Sequence, residues 1–303
     1  MELRHICGAT YAVFGKGAVL GLYRLNERDI VLMDTGVCRM DRDDLDALIA
    51  ENGFSVKGIF CSHAHYDHCG STAYLRAKWG AQTAAQVIEA GIIASPEAFH
   101  GNYPYATYRQ CNEWFSEKCF PADVVIGIDD DLVSFCGADF GVLQLPGHSA
   151  GQIGIITPDH VAYLSDCLMG PDSLNAAKLP TTMCIEEDLK SKEKIRSLNC
   201  SAYILAHHDV IEGDIGPTVD ENIAYYLRKA GEVLDCLEDG MTADQWRSAM
   251  AAAFEIRTHN PFKLSVICRD FNSYVTYLED TGRVFFHWEN CTKHYTHTAH
   301  VEK

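Results

Sequence analysis

Short apolar runs closed by Gly, Asp or Pro alternate with segments of helical spacing through residues 10–205, the pattern of strands interleaved with helices. Thr10–Phe14 and Val19–Leu25 predict a hairpin across Gly15-Lys-Gly17, and Asp29–Met33 a further strand. Met40–Glu51 predicts a helix stopped at Asn52-Gly53, followed by a buried strand over Val56–Cys61, a helix over Ser71–Trp79 and a short strand at Ala81–Ala85. From Ile92 to Asp123 the period is lost and aromatic residues dominate: Phe99, Tyr103, Tyr105, Tyr108, Trp114, Phe115 and Phe120. Such a segment suits a lid or substrate wall, packing on the core, or a dimer contact. Strands resume at Val124–Ile128, Asp131–Phe135 and Phe140–Leu145. A hairpin of Gln152–Thr157 and Val161–Leu164, a charged helix over Glu186–Leu198 and a buried strand at Ala202–Leu205 complete this part.

Past Pro217 the alternation gives way to helices, so the chain divides into residues 1–217 and 218–303. Thr218-Val-Asp-Glu221 reads as a capping box opening a helix that reaches Gly240, and Thr242-Ala-Asp-Gln245 opens a second. After Asn260-Pro261, the apolar series Leu264, Ile267, Phe271, Tyr274, Val275 and Leu278 defines a third, stopped by Gly282. Arg283–Trp288 and Cys291–Thr296 then pair across Glu289-Asn290. Three helices and a terminal hairpin resemble a winged helix.

Candidate chemistry is concentrated in Ile59-Phe-Cys-Ser-His-Ala-His-Tyr-Asp-His-Cys-Gly70, where an apolar strand stops at three histidines and an aspartate. Strand ends opening into loops are where α/β sheets carry sites. Imidazole and carboxylate donors suit zinc, iron or manganese in an open site, whereas a closed structural site favours thiolates. His63 and His65 can share one ion, and Asp67 and His68 can turn to a second.

His63-Ala64-His65-Tyr66-Asp67-His68 resembles the signature of the metallo-β-lactamase superfamily. Four further segments are similar in type and order: Ile30-Val-Leu-Met-Asp34-Thr-Gly36, Leu145-Pro-Gly-His148-Ser-Ala-Gly151, Tyr163-Leu-Ser-Asp166 and Ile204-Leu-Ala-His207-His208. The resemblance spans residues 1–215 and points to the glyoxalase II-like or thioesterase-like branch; some members of the superfamily that act on thioesters or RNA have a tail similar to this one. It implies the α/β class and a four-layered αβ/βα fold with a mostly helical C-terminal appendage. By carry-over, His63, His65 and His148 hold one divalent ion, Asp67, His68 and His208 a second, and Asp166 lies between them. The family usually shows Pro-Gly-His at the last position, so Ala206-His207-His208 assigns His208, with His207 as the alternative. Asp34 would orient a ligand or its loop, and Asp67 would also orient the nucleophile. The implied cofactors are two zinc ions, with iron or manganese as alternatives. The implied reaction is attack of a metal-activated hydroxide on a small ester, thioester, lactone or related substrate. Two other chemistries of the superfamily stand beside it, a mononuclear-iron sulfur dioxygenase and an RNA-processing nuclease.

Charge narrows these choices. The chain of 303 residues carries a net charge of −17, and residues 218–303 hold nine Lys or Arg against thirteen Asp or Glu, which disfavours nucleic acid as a partner. The tail is therefore read as a cover over the mouth of the site or a homodimer contact. Thirteen cysteines, an odd number scattered through strands and helices, fit reduced thiols in the cytoplasm. No signal-like head or membrane-length apolar run is present, so no membrane association is expected.

Overall fold

A computed structural model describes residues 1–303 apart from Arg39, Pro104, His208 and 298–303. Its first sheet takes its strands in chain order: β1 (Glu2–Cys7), β2 (Thr10–Phe14), β3 (Val19–Arg24), β4 (Asp29–Met33), β5 (Ser55–Cys61), β6 (Gln82–Gln86) and β7 (Val124–Ile126). Pairing is antiparallel as far as β4 and parallel from β4 to β7. Crossover connections carry α1 (Arg42–Glu51), α2 (Tyr66–Cys69) and α3 (Thr72–Trp79). They also carry α4 (Val87–Ile93), α5 (Pro96–Asn102) and α6 (Tyr108–Phe115).

The second sheet contains β8 (Leu132–Phe135), β9 (Ala138–Gln144), β10 (Ile153–Ile156), β11 (Val161–Ser165), β12 (Ala202–Leu205) and β13 (Asp209–Glu212), in the order β13-β12-β11-β10-β9-β8. Its only parallel pair is β11 with β12, bridged by α7 (Pro171–Ala176) and α8 (Ile185–Arg196). The period of two assigns each side chain to a layer. In β4, Val31 and Met33 join the core between the sheets, while Ile30 and Leu32 face the core under α1 and α3. In β12, Ala202 and Ile204 point between the sheets, and Tyr203 and Leu205 pack outward with Ile195 and Val219. Helices thus cover both outer faces of two packed sheets, the αβ/βα arrangement that the family resemblance implies.

The aromatic segment is helical. Phe99, Tyr103 and Phe115 are buried in the core of the first outer layer, and the Phe99 and Phe115 rings stack at 4.1 Å. No regular period runs through the segment because α5 and α6 are only 7 and 8 residues long and are separated by a non-helical connection.

C-terminal to these layers come α9 (Gly216–Leu234), β14 (Met241–Thr242), α10 (Ala243–Ala253), α11 (Pro261–Asp280), β15 (Phe285–Glu289) and β16 (Thr292–Thr296). The Thr242–Gln245 capping box forms, whereas the one expected at Thr218 does not. Pro217 occupies the first turn of α9, where its fixed φ suits a helix start, so the helix begins at Gly216 and Thr218 lies inside it. Trp246, Phe271, Tyr274 and Leu278 form the core here, and Ile185 of α8 packs into it. No helix among the described residues is long and apolar enough to cross a membrane, and all thirteen cysteines are free.

Candidate metal centre

Strand ends at one rim of the sandwich converge the candidate ligands. β5 delivers Ser62-His63, the turn after β9 delivers His148, β11 delivers Ser165-Asp166, and β12 leads to His207. Two rim residues take left-handed backbone angles uncommon outside glycine, Asp34 at φ 64° and Ser165 at φ 51°, each turning the chain out of its strand. Gly147, at φ 136°, is required: a Cβ there would lie 2.2 Å from the Asp188 backbone, so only glycine lets the His148 turn reach α8.

His65 Nδ1 lies 2.9 Å from both His63 Nε2 and His148 Nε2, and His148 Nε2 lies 3.3 Å from Asp166 Oδ2. These four side chains form a first cluster, and Asp67, His68 and His207 form a second. Asp166 stands between them: its Oδ1 is 3.1 Å from His68 Nε2 and its Oδ2 is 3.2 Å from His207 Nε2. Of the predicted last ligands, His208 lies outside the described residues, while the alternative, His207, faces Asp166. Asp67 is the most exposed of the group and looks into the cleft, its Oδ2 4.0 Å from His68 Nε2.

The buried atoms test whether this set suits a cation. His68 Nε2 and Asp166 Oδ1 face each other at 3.1 Å, yet neither has a hydrogen-bond partner. Buried polar atoms are seldom left so. A ring nitrogen facing a carboxylate oxygen with no bond between them is an arrangement a divalent ion would satisfy in place of a proton, so the residues fit the group the fold implies.

Supporting bonds aim the rings. Asp34, fully buried, accepts from Ser62 N at 2.8 Å through Oδ1. Its Oδ2 accepts from Ser62 Oγ at 2.6 Å, Tyr163 OH at 2.7 Å and His68 Nδ1 at 2.8 Å. The last bond engages Nδ1 and turns Nε2 toward Asp166, so Nε2 is the nitrogen left to ligate once it gives up its proton. Glu89 of α4 was not predicted. It too is fully buried, with Oε2 accepting from Ala64 N at 2.8 Å and Oε1 from Ser149 Oγ at 2.8 Å and Gly151 N at 2.7 Å. One carboxylate therefore ties the His63–His65 loop to the loop after His148. Its only trace in the sequence is an acidic residue among the apolar positions of Ala84–Ile93.

Burial pushes His148 down to about 3 and holds His63 and His65 well below the ordinary imidazole value, their positively charged neighbours adding to the effect. These rings are neutral, the form that binds metal. Burial also opposes charge on His68, but Asp166 and Asp34 outweigh it and hold His68 well above the usual value. Asp166 raises His207 in the same way. Burial works against ionisation of Asp166, yet His207, His68 and His148 keep its carboxyl well below the usual carboxylate range.

The clusters open into a cavity of about 380 Å³. Met169, Leu179, Pro180 and Tyr226 form apolar wall, Tyr103 is the residue of the aromatic segment that reaches it, and α11 contributes Phe262, Lys263, Val266, Ile267 and Arg269. The α11 residues were not predicted as part of the site.

The profile of the metallo-β-lactamase superfamily matches residues 18–207. A β-lactamase hydrolase-like protein of Agrobacterium fabrum is 27% identical over 62% of this chain and 41% of its own length. A hydroxyacylglutathione hydrolase of Haemophilus influenzae is 23% identical over 47% of the chain and 63% of its own length. An atrochrysone carboxyl acyl carrier protein thioesterase of Aspergillus fumigatus is 25% identical over 69% of the chain and 56% of its own length. The chain thus spans less than two thirds of each of these curated relatives. A crystal structure of a metallo-β-lactamase family protein from Thermus thermophilus shares the fold, with a TM-score of 0.72 at 20% identity over 93% of this chain and 94% of that one. The profile covers more than half of the chain, and the elements it spans carry the converging histidines and aspartates: this protein belongs to the metallo-β-lactamase superfamily.

Proposed function

We propose that the protein is a metal-dependent hydrolase, using two zinc ions to cleave a small thioester, ester or lactone. The observation that carries this reading is the convergence of His63, His65 and His148 on one side of Asp166 and of His68 and His207 on the other, with two buried ligand atoms left without partners. His63, His65, His148 and Asp166 would hold the first ion, and Asp67, His68 and His207 or His208 the second. An all-nitrogen and oxygen donor set that opens on a cleft suits catalytic zinc. When bound, such ions polarise a scissile carbonyl and acidify water.

The chain's own residues supply the rest. Asp34 and Glu89 hold the ligand loops so that the rings need no rearrangement. Asp67, looking into the cleft, accepts a hydrogen bond from the attacking water and aims its oxygen at the carbonyl carbon. As that carbon–oxygen bond forms and the bond to the leaving sulfur or oxygen breaks, the water's proton passes to the leaving group. The apolar wall around Leu179 and Val266 accommodates an acyl chain and excludes bulk water. A thioester is favoured within this class because one relative is named a thioesterase and another a hydroxyacylglutathione hydrolase.

The test is elemental analysis of protein purified without added metal, followed by turnover on ester, thioester, lactone, phosphodiester and β-lactam panels with oxygen uptake recorded. Two equivalents of zinc and hydrolysis without oxygen consumption are expected. The His63→Ala, His65→Ala double variant should fold but lose the first ion and all turnover. Retained turnover in that variant refutes the mechanism.

A further inference from the structure

Helix α11 lies beyond residue 207, where the superfamily profile ends, and carries a buried charged pair with no ligand role, Arg269 and Asp270. Thr181 connects that pair to the first cluster. Its carbonyl oxygen is 2.9 Å from His148 Nδ1, and its hydroxyl donates to Asp270 Oδ2 at 3.0 Å. Asp270 Oδ1 accepts from Arg269 Nε and Nη2, both at 3.3 Å, and Arg269 Nη1 lies 3.3 Å from His65 Nε2. A path of hydrogen bonds therefore runs behind the His148 ring, through Thr181 to the α11 pair, whose guanidinium lies beside the edge of His65.

The direction of a ligating imidazole is set by what its other nitrogen meets. Accepting from Nδ1, the Thr181 carbonyl makes that nitrogen the N–H and leaves His148 Nε2 bare toward the cluster. The carbonyl stays in place because its own side chain is anchored to Asp270. The guanidinium in turn supplies countercharge to a carboxylate that would be costly to bury alone.

Building on the metal-site reading above, we infer that Thr181 and Asp270 are positioning residues for the first ion, with Arg269 as the countercharge that lets Asp270 be buried. Helix α11 sets the tilt of His148 and abuts the outer edge of His65. The segment beyond residue 217 is then a working part of the centre, not only a cover over its mouth.

The experiment uses the full chain as wild type, Thr181→Val, Thr181→Ser and Asp270→Asn. Stepwise Zn2+ affinities are measured by chelator competition, Co2+ absorption spectra report ligand geometry, and melting of the metal-free proteins monitors the fold. Thr181→Val keeps the shape and removes the hydroxyl. It should weaken the first ion by about 10 to 100-fold, the range for losing a residue that supports a ligand, and alter the Co2+ spectrum. The second ion should be unaffected. Thr181→Ser should restore wild-type binding, and Asp270→Asn, whose amide can still meet the Thr181 hydroxyl, should weaken the first ion less than Thr181→Val does. A role confined to holding α11 in place would lower the melting temperature and leave the affinities and spectrum unchanged, and that result overturns the inference while the metal reading stands. A wild-type chain that takes up no ion would overturn both.

Discussion

Replacing Asp34 by Asn tests how far the centre is organised before any ion arrives. The carboxylate faces four donors and has no access to water: Ser62 N on Oδ1, and Ser62 Oγ, Tyr163 OH and His68 Nδ1 on Oδ2. An Asn side chain offers one acceptor oxygen and one NH2. With the oxygen placed toward His68 and Tyr163, the NH2 confronts the Ser62 amide; flipped, it confronts three donors. In the better orientation one charge-assisted bond is lost, about 1.5–3 kcal/mol, and a buried donor is left unpaired, about 1–3 kcal/mol. The metal-free variant should therefore be destabilised by about 3–5 kcal/mol, read from the urea midpoint at constant slope. The His68 bond also loses the carboxylate that fixes its tautomer, so ion affinity at the second cluster should fall by at least about tenfold. A stability loss below about 1 kcal/mol in the metal-free variant would refute a preorganised centre; with metal affinity still reduced, it would show that the network forms only around bound metal.

Glu89→Gln replaces an acceptor of three hydrogen bonds with an amide that must set its NH2 against either Ala64 N or the Ser149 and Gly151 donors, at a cost of about 2–4 kcal/mol in urea unfolding; a change under about 0.5 kcal/mol would mean the two loops hold their spacing without it. The two clusters should also differ in proton release. His63, His65 and His148 are held uncharged by burial and have nothing to give up near neutral pH, whereas His68 and His207 are raised and must lose protons to bind an ion. Affinity of the second step should therefore climb by about tenfold per pH unit for each proton displaced, while the first stays nearly flat. Calorimetric titrations in buffers of different ionisation enthalpy count those protons, and equal counts for the two steps would contradict the assignment.

What could be read from the sequence was what neighbouring residues decide among themselves. Strands such as β4 and β12 declare themselves as short unbroken apolar runs because both of their faces are buried, and the His63–His68 string is contiguous in the chain. The Thr218 cap failed for a local reason as well: Pro217 suits a helix start so well that the preceding glycine is drawn into α9. At the end of β12, periodicity gives no guide, because the strand stops at Leu205 and the turn beyond it decides which side chain points inward. His207 faces Asp166 there, while the His208 assignment falls outside the described residues.

Glu89, Arg269 and Asp270 escaped for a different reason. Each meets a partner far along the chain: Glu89 the Ala64 and Gly151 amides, Arg269 the edge of His65, and Asp270 the hydroxyl of a Thr181 whose carbonyl lies against His148. Any residue can present an amide or a carbonyl, so such contacts leave no mark on residue type. Geometry in this centre thus depends on residues that motif matching cannot see, and the ligand string by itself specifies neither affinity nor substrate. Much of the cavity wall around the ligands lies beyond the motif segments, in Met169, Leu179, Pro180 and Thr181 and in helix α11. A relative could share every histidine and aspartate of this rim and still act on a different bond, provided α11 or its equivalent presents other side chains to the cavity.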